Sequence, residues 1–251
     1  MAKHYPPQEM LAAYASGSST PGMSLLVATH LTLSPESRAR VGAMESLGGV
    51  LLAGERPEPV SAGTRAAVMA AIGEAGPVTG ASCDLAGDAA HGMVQPDAVA
   101  APQMTQSMPP SPAGPAISDR LEGLPAPLRQ AIEVADGASG SGALAWRFRL
   151  PGVSEYELPG FDDEHVSLLR ARPGASIPQH THEGTELTLV LSGQLEDQGM
   201  TYRRGDVAVC TEDDDHRPRI TGEATCICLV VMDGSLRFTG RFSRALNLLA
   251  E

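Results

Sequence analysis

The chain has 251 residues, 42% apolar but only 4% aromatic, with 20 prolines and 27 glycines; this allows one large or two small domains and implies a stretch that does not pack. Its net charge of −12, divided as −1 over residues 1–76, −5 over 77–145 and −6 over 146–251, argues against direct nucleic-acid binding, which draws on clustered Lys and Arg. No apolar run approaches the roughly 20 residues of a membrane span, and the start Met1-Ala-Lys3-His4-Tyr-Pro-Pro7 lacks the apolar core of a signal peptide. Four cysteines (Cys83, Cys210, Cys226, Cys228) make no secreted disulfide framework, so the expected compartment is the cytoplasm.

Residues 8–75 read as helical. Pro6-Pro7 precede Gln8–Tyr14, with Gly17 as the stop. Thr20 then has the character of an N-cap, with Pro21 at the first helical position. Met23, Leu26, Val27, His30 and Leu31 follow at helical spacing. Ser34-Pro35 repeats this cap-and-proline start, and Val41, Met44, Leu47 and Leu51 make a second stripe. A weakly apolar helix is expected over Ser61–Ala75. These small faces call for a partner or another domain to cover them.

Residues 77–116 contain seven prolines among Gly, Ala, Ser and Met, without a sustained period. Such a segment buries too little to offset its ordering entropy. Residues 119–135 carry a short helical pattern, against which Pro125 and Pro127 weigh, and the whole of 77–140 is assigned as linker. From Leu144 the pattern turns to strands: 146–150, 166–168, 187–191, 207–209 and 226–230, with Gly or Pro between. Short strands at this spacing predict an antiparallel sandwich or barrel over 141–251.

Inside that region lies Gly174-Ala-Ser-Ile-Pro-Gln-His180-Thr-His182-Glu-Gly-Thr-Glu186, running on to Gly193. Side chains two apart on a strand share a face. His180 and His182 can therefore reach one ion, and Glu186 can join them after a bend at Glu183-Gly184. Imidazole and carboxylate suit zinc, iron or manganese. His216 follows in Asp213-Asp-Asp-His216-Arg-Pro218. The spacing resembles the cupin signature: G, five residues, H-x-H, three or four residues, E, six residues, G. The looser second cupin motif is matched by Gly205-Asp206 and His216. The resemblance implies metal ligation by His180, His182, Glu186 and His216, with zinc expected and iron or manganese also suited.

The order of helical module, linker and cupin resembles the ChrR-type anti-sigma factors over about residues 4–75 and 140–240. The local match is Leu25-Leu-Val-Ala-Thr-His30-Leu-Thr-Leu-Ser34-Pro-Glu-Ser37-Arg-Ala-Arg40. Zinc-binding anti-sigma domains carry H, three residues, C, two residues, C here, and a further N-terminal His, for which His4 is the candidate. In this chain both cysteine positions hold serine, Ser34 and Ser37. A neutral hydroxyl is a poor zinc ligand where a thiolate is a good one. His4, His30, Ser34 and Ser37 are therefore expected to form a degenerate site without zinc, with Ser34 acting as an N-cap.

Other residues have plainer readings. Cys226 and Cys228 share a strand face and read as reduced packing in the core or near the metal; a redox pair is the alternative, but a disulfide between them would be strained. Cys210 also reads as packing, Cys83 as an incidental solvent-reactive thiol, and His91 and His165 as surface residues. Glu212–Asp215 reads as a solvated acidic loop. The fold class expected is α+β multidomain: a helical domain over 1–76, the linker, and the cupin barrel. The resemblance implies an anti-sigma factor that inhibits an extracytoplasmic-function sigma factor, its cupin governing a response to oxidative stress of the singlet-oxygen type. The alternative is a metal-dependent cupin enzyme of dioxygenase or isomerase type, for which the helical module and linker have no obvious use.

Overall fold

The computed structural model describes residues 2–61, 63–74, 123–135, 144–161 and 163–240. The expected linker segment over 77–116, with Cys83 and His91, lies outside them. The chain divides into two compact units, Met1–Ala53 with Ser111–Glu251, and Gly54–Pro110.

In the first unit, α1 (Gln8–Ala15) ends where Gly17 takes a φ of 71°, the left-handed turn that stops a helix. α2 (Pro21–Leu33) begins at the expected cap position, but the capping acceptor is not the Thr20 hydroxyl. Glu164 accepts from Thr20 Oγ1 at 2.5 Å and from the Gly22 N–H at 2.7 Å, so a carboxylate sits at the positive end of the helix. α3 (Pro35–Gly54) starts at Ser34, whose Oγ accepts from the Ser37 N–H at 3.3 Å, the N-cap bond expected of it. The prolines at 125 and 127 do not abolish the doubtful later helix: α5 runs Ala126–Ala135, with Pro127 in its first turn, where no N–H partner is lost.

The strands are β1 (Arg147–Leu150), β2 (Val153–Glu157), β3 (His165–Ala171), β4 (His180–His182), β5 (Glu186–Ser192), β6 (Gln194–Asp197), β7 (Met200–Arg203), β8 (Val207–Cys210), β9 (Arg219–Ile220), β10 (Cys226–Met232) and β11 (Leu236–Phe238). They form sheets of order β1-β2-β3-β10-β5-β8, β7-β6-β9 and β11-β4, and every pairing is antiparallel. All seven residues of β10 are buried, because both faces of the large sheet are covered. Ile227, Leu229 and Val231 point to one side, where Leu26 of α2 and Leu128 and Ile132 of α5 pack on them. Cys226, Cys228 and Val230 point to the other, into an interior closed by Leu195, Tyr202 and Ile220 of the smaller sheet. Gly193, between β5 and β6, has a φ of 75°, and a Cβ there would lie 2.7 Å from the Cys226 Cα; glycine lets the two strands approach.

The apolar stripes on the helices divide between two fates. Val27 packs with Leu11 and Val41 in a small helical core, while Leu26 joins the sheet. The α2 stripe is thus covered within the chain. On α3 Val41 is buried and Met44 partly buried, but Leu47 is 61% and Leu51 65% exposed, with Val50 and Leu52 exposed beside them. In the second unit, α4 (Thr64–Glu74) leaves Val68, Met69 and Ile72 exposed at i, i+1 and i+4. Among the described residues, no helix is long and apolar enough to cross a membrane.

Candidate metal centre

β4 presents His180 and His182 on one face of a three-residue strand, as the alternation of extended backbone requires. A turn at Gly184, with φ 76°, reverses the chain into β5, whose first residue is Glu186. The loop after β8 brings His216 back beside β4, and two backbone hydrogen bonds of 3.0 Å lock His180 and His216 together. The ring centroids of His180 and His216 lie 4.3 Å apart, those of His182 and His216 5.5 Å, and those of His180 and His182 6.4 Å. Glu186 Oε2 is 3.7 Å from His180 Nε2. His180, Glu186 and His216 offer donor atoms within 4.8 Å of one another, and His182 adjoins His216 without joining that group.

Each histidine is held by Nδ1, leaving Nε2 to face inward. His180 Nδ1 lies 2.8 Å from the Pro178 carbonyl, His182 Nδ1 3.3 Å from the Gly184 carbonyl, and His216 Nδ1 2.7 Å from Asp197 Oδ2. The side chains are almost wholly buried, at 2%, 2% and 4% exposed. His182 Nε2 and His216 Nε2 have no hydrogen-bond partner among the described residues. Two buried ring nitrogens without partners cost about 1–3 kcal/mol each unless something engages them. A cation would.

Among the described residues two groups of possible ligands have donor atoms within 4.8 Å of one another: His180, Glu186 and His216, and His182, Cys210 and His216. Burial pushes the Glu186 carboxyl up, but the His180 ring and the charge of His216 outweigh it and leave it below its ordinary value. Burial pulls His216 down, yet the Asp197 hydrogen bond and the Glu186 charge raise it above its ordinary value. Burial, followed by the charges of Glu186 and Asp197, holds the Cys210 thiol well above the ordinary range. Buried carboxylates beside imidazole nitrogens make a frame that favours a divalent ion.

Asp197 went unnoticed in the sequence. It lies on β6, 19 residues before His216, and no local pattern joins them. A carboxylate behind a ligating imidazole fixes its tautomer and raises its basicity. Cys210, read as packing, lies with its Sγ 3.6 Å from His216 Nδ1. Cys226 and Cys228 are free and buried, with 3.6 Å between their sulfurs, as read from the strand alternation. His165, read as a surface residue, is instead half-buried and lies 2.9 Å from Glu155.

At the helical end, three of the four degenerate-site residues meet. His30, Ser34 and Ser37 are buried at the junction of α2 and α3. The contacts form one consistent chain: Ser34 Oγ donates to Ser37 Oγ at 3.2 Å, Ser37 Oγ donates to His30 Nε2 at 2.8 Å, and His30 Nδ1 donates to the Gly205 carbonyl at 2.9 Å. Burial lowers the His30 pKa, which suits the neutral imidazole this chain of contacts needs. His4 stands elsewhere, its ring against Tyr202 with centroids 4.8 Å apart. Its backbone N–H donates to Asp206 Oδ1 at 3.0 Å, and the Lys3 N–H donates to the same oxygen.

A family model described as a ChrR cupin-like domain matches residues 140–235. The anti-sigma-E factor ChrR of Cereibacter sphaeroides is 30% identical over 236 residues, covering 94% of this chain and 92% of that protein. A crystal structure of Rhodobacter sphaeroides SigE in complex with the anti-sigma ChrR matches with a TM-score of 0.64 at 29% identity, over 93% of this chain and 100% of that one. With identity of this level along nearly its whole length, helices and barrel alike, the chain belongs to the family of ChrR anti-sigma factors.

Proposed function

We propose that this protein binds and inhibits an extracytoplasmic-function sigma factor through residues 1–76, in the cytoplasm. Its cupin holds a divalent metal, zinc in the first place, and governs release in response to oxidative stress of the singlet-oxygen type. The observation that carries the reading is the likeness to the ChrR of the SigE complex, which runs through 93% of this chain rather than through the barrel alone. The apolar side chains left uncovered on α3 and on α4 support it, since an amphipathic helix with exposed i, i+3 or i+4 residues is suited to a groove on a partner. The deciding experiment is run-off transcription with a purified sigma factor of this class. Stoichiometric addition of the full chain should silence it, and unchanged transcription at saturating protein would end the proposal.

The metal reading rests on three inward-facing Nε2 atoms with a carboxylate beside them, a donor set that suits zinc, iron and manganese alike. In this reading His180, His182, Glu186 and His216 hold the ion and Asp197 orients His216. His182→Ala should remove about one equivalent of metal per chain. Asp197→Ala should weaken retention by about 10–100-fold in chelator competition without changing the stoichiometry at saturation. Equal retention by the parent and both variants would disprove this ligand set. At the helical end, the hydrogen-bonded chain Ser34–Ser37–His30–Gly205 stands where zinc would otherwise fix the helix angles.

A further inference from the structure

We propose that the metal centre takes a sulfur ligand, the thiolate of Cys210, which the two-histidine and glutamate pattern does not include. The inference rests on the metal reading above and deepens it. β5 and β8 pair in antiparallel register with Glu186 directly opposite Cys210. Partners across such a pair put their side chains on one face, with Cβ atoms about 4.5–5.5 Å apart. A ligand at Glu186 thus has Cys210 as its immediate neighbour. Six residues later the chain returns at His216, whose Nδ1 lies 3.6 Å from the sulfur. Cys210 Sγ and one nitrogen each of His182 and His216 fall within 4.8 Å of one another. An ion with ligand bonds of about 2.0–2.3 Å spans donors separated by up to about 4.6 Å, so a small closure of the group suffices.

The sulfur is not committed elsewhere. Its remaining contacts are long, 3.8 Å to Asp197 Oδ2 and 4.0 Å to Gln198 Nε2. His182 and His216, each with a buried Nε2 that has no hydrogen-bond partner among the described residues, share a group of possible ligands with the sulfur, which marks a place for a ligand rather than a packed thiol. Cys226 and Cys228 differ on this point. They line the same cavity, 3.6 Å from each other, but among the described residues neither shares a group of possible metal ligands with a histidine. Ligation breaks the Cys210 S–H bond, forms a sulfur–metal bond and releases one proton to solvent. A soft thiolate added to imidazoles shifts preference towards zinc or cobalt and away from manganese.

Cobalt loading of the full-length protein tests this, in a Cys83→Ser background so that this thiol does not contribute. The protein should bind one Co(II) and show a thiolate-to-cobalt charge-transfer band in the near ultraviolet. Cys210→Ser should lose that band, keep the visible bands of nitrogen and oxygen ligation, and bind zinc about 10-fold or more weakly while manganese binding is unchanged. Cys226→Ser with Cys228→Ser should leave the band in place. A parent protein that binds one cobalt without the band overturns the proposal, whatever the fate of the variants. So does a band that survives in Cys210→Ser or disappears with the Cys226 and Cys228 pair. Failure to bind any cobalt or zinc removes the metal reading itself, an outcome distinct from loss of the sulfur ligand alone.

Discussion

Replacing Leu47 and Leu51 by aspartate should weaken sigma-factor binding by about 100-fold or more while shifting the melting temperature by no more than about 2 °C. The first half follows from where binding energy resides. A few apolar anchors supply most of it, and truncating one costs about 2 kcal/mol or more. Two anchors turned into desolvated charges exceed the 2.8 kcal/mol that corresponds to about 100-fold. The second half follows from exposure: at 61% and 65% exposed, neither side chain contributes to the chain's own core. Substitutions at such positions stay within about 0.5 kcal/mol, a degree or two for a protein of this size. Leu26 is the control. It lies in the same N-terminal stripes but is fully buried against the large sheet, so Leu26→Ala should cost about 2–5 kcal/mol of stability. If the double aspartate variant captures the sigma factor as tightly as the parent, the α3 face is not the docking surface. The fragment 1–76 is a poorer test, because it strips α2 of the sheet it packs on and of its Glu164 cap.

The contrast between Leu26 and Leu47 marks what could be read from the chain and what could not. Both sit in helical stripes, and periodicity identifies an apolar face without saying what covers it. Only the packed structure assigns Leu26 to the barrel and leaves Leu47 uncovered. The helix starts were legible because Pro21 and Pro35 follow Thr20 and Ser34, a local signal. Even so, the carboxylate that caps α2 comes from Glu164, 144 positions away from Thr20. The long strand β10 was legible from its unbroken apolar run, whereas β4, β9 and β11 span two or three residues, too few to carry a period. At the metal centre, ligand candidates within one motif were legible from spacing. Asp197 and Cys210 were not, since neither shares a motif with His216 and only side-chain contacts made in the fold bring them to its ring.

The double substitution Ser34→Cys with Ser37→Cys should add about one zinc per chain and raise the melting temperature. The positions are already assembled: the two hydroxyls lie 3.2 Å apart, and Ser37 Oγ is 2.8 Å from His30 Nε2. His30 is also pre-oriented, because its Nδ1 donates to the Gly205 carbonyl at 2.9 Å, the outer hydrogen bond that a ligating imidazole ordinarily makes. Burial keeps the ring neutral, so no proton has to leave before it ligates. Two thiolates and His30 supply three ligands, and a tetrahedral zinc needs a fourth. His4 can supply it only by giving up its place against Tyr202. His4→Ala on the doubly substituted background therefore decides the fourth position. If His4 ligates, the added zinc is lost or weakened by orders of magnitude. If water completes the site, the zinc stays and remains exchangeable. His30→Ala should abolish the added zinc in either case. Should the double variant gain no zinc while folding normally, the correspondence of Ser34 and Ser37 to the zinc-binding cysteines of this family would be wrong, and the hydrogen-bonded chain through His30 would be an independent way of joining helices to barrel.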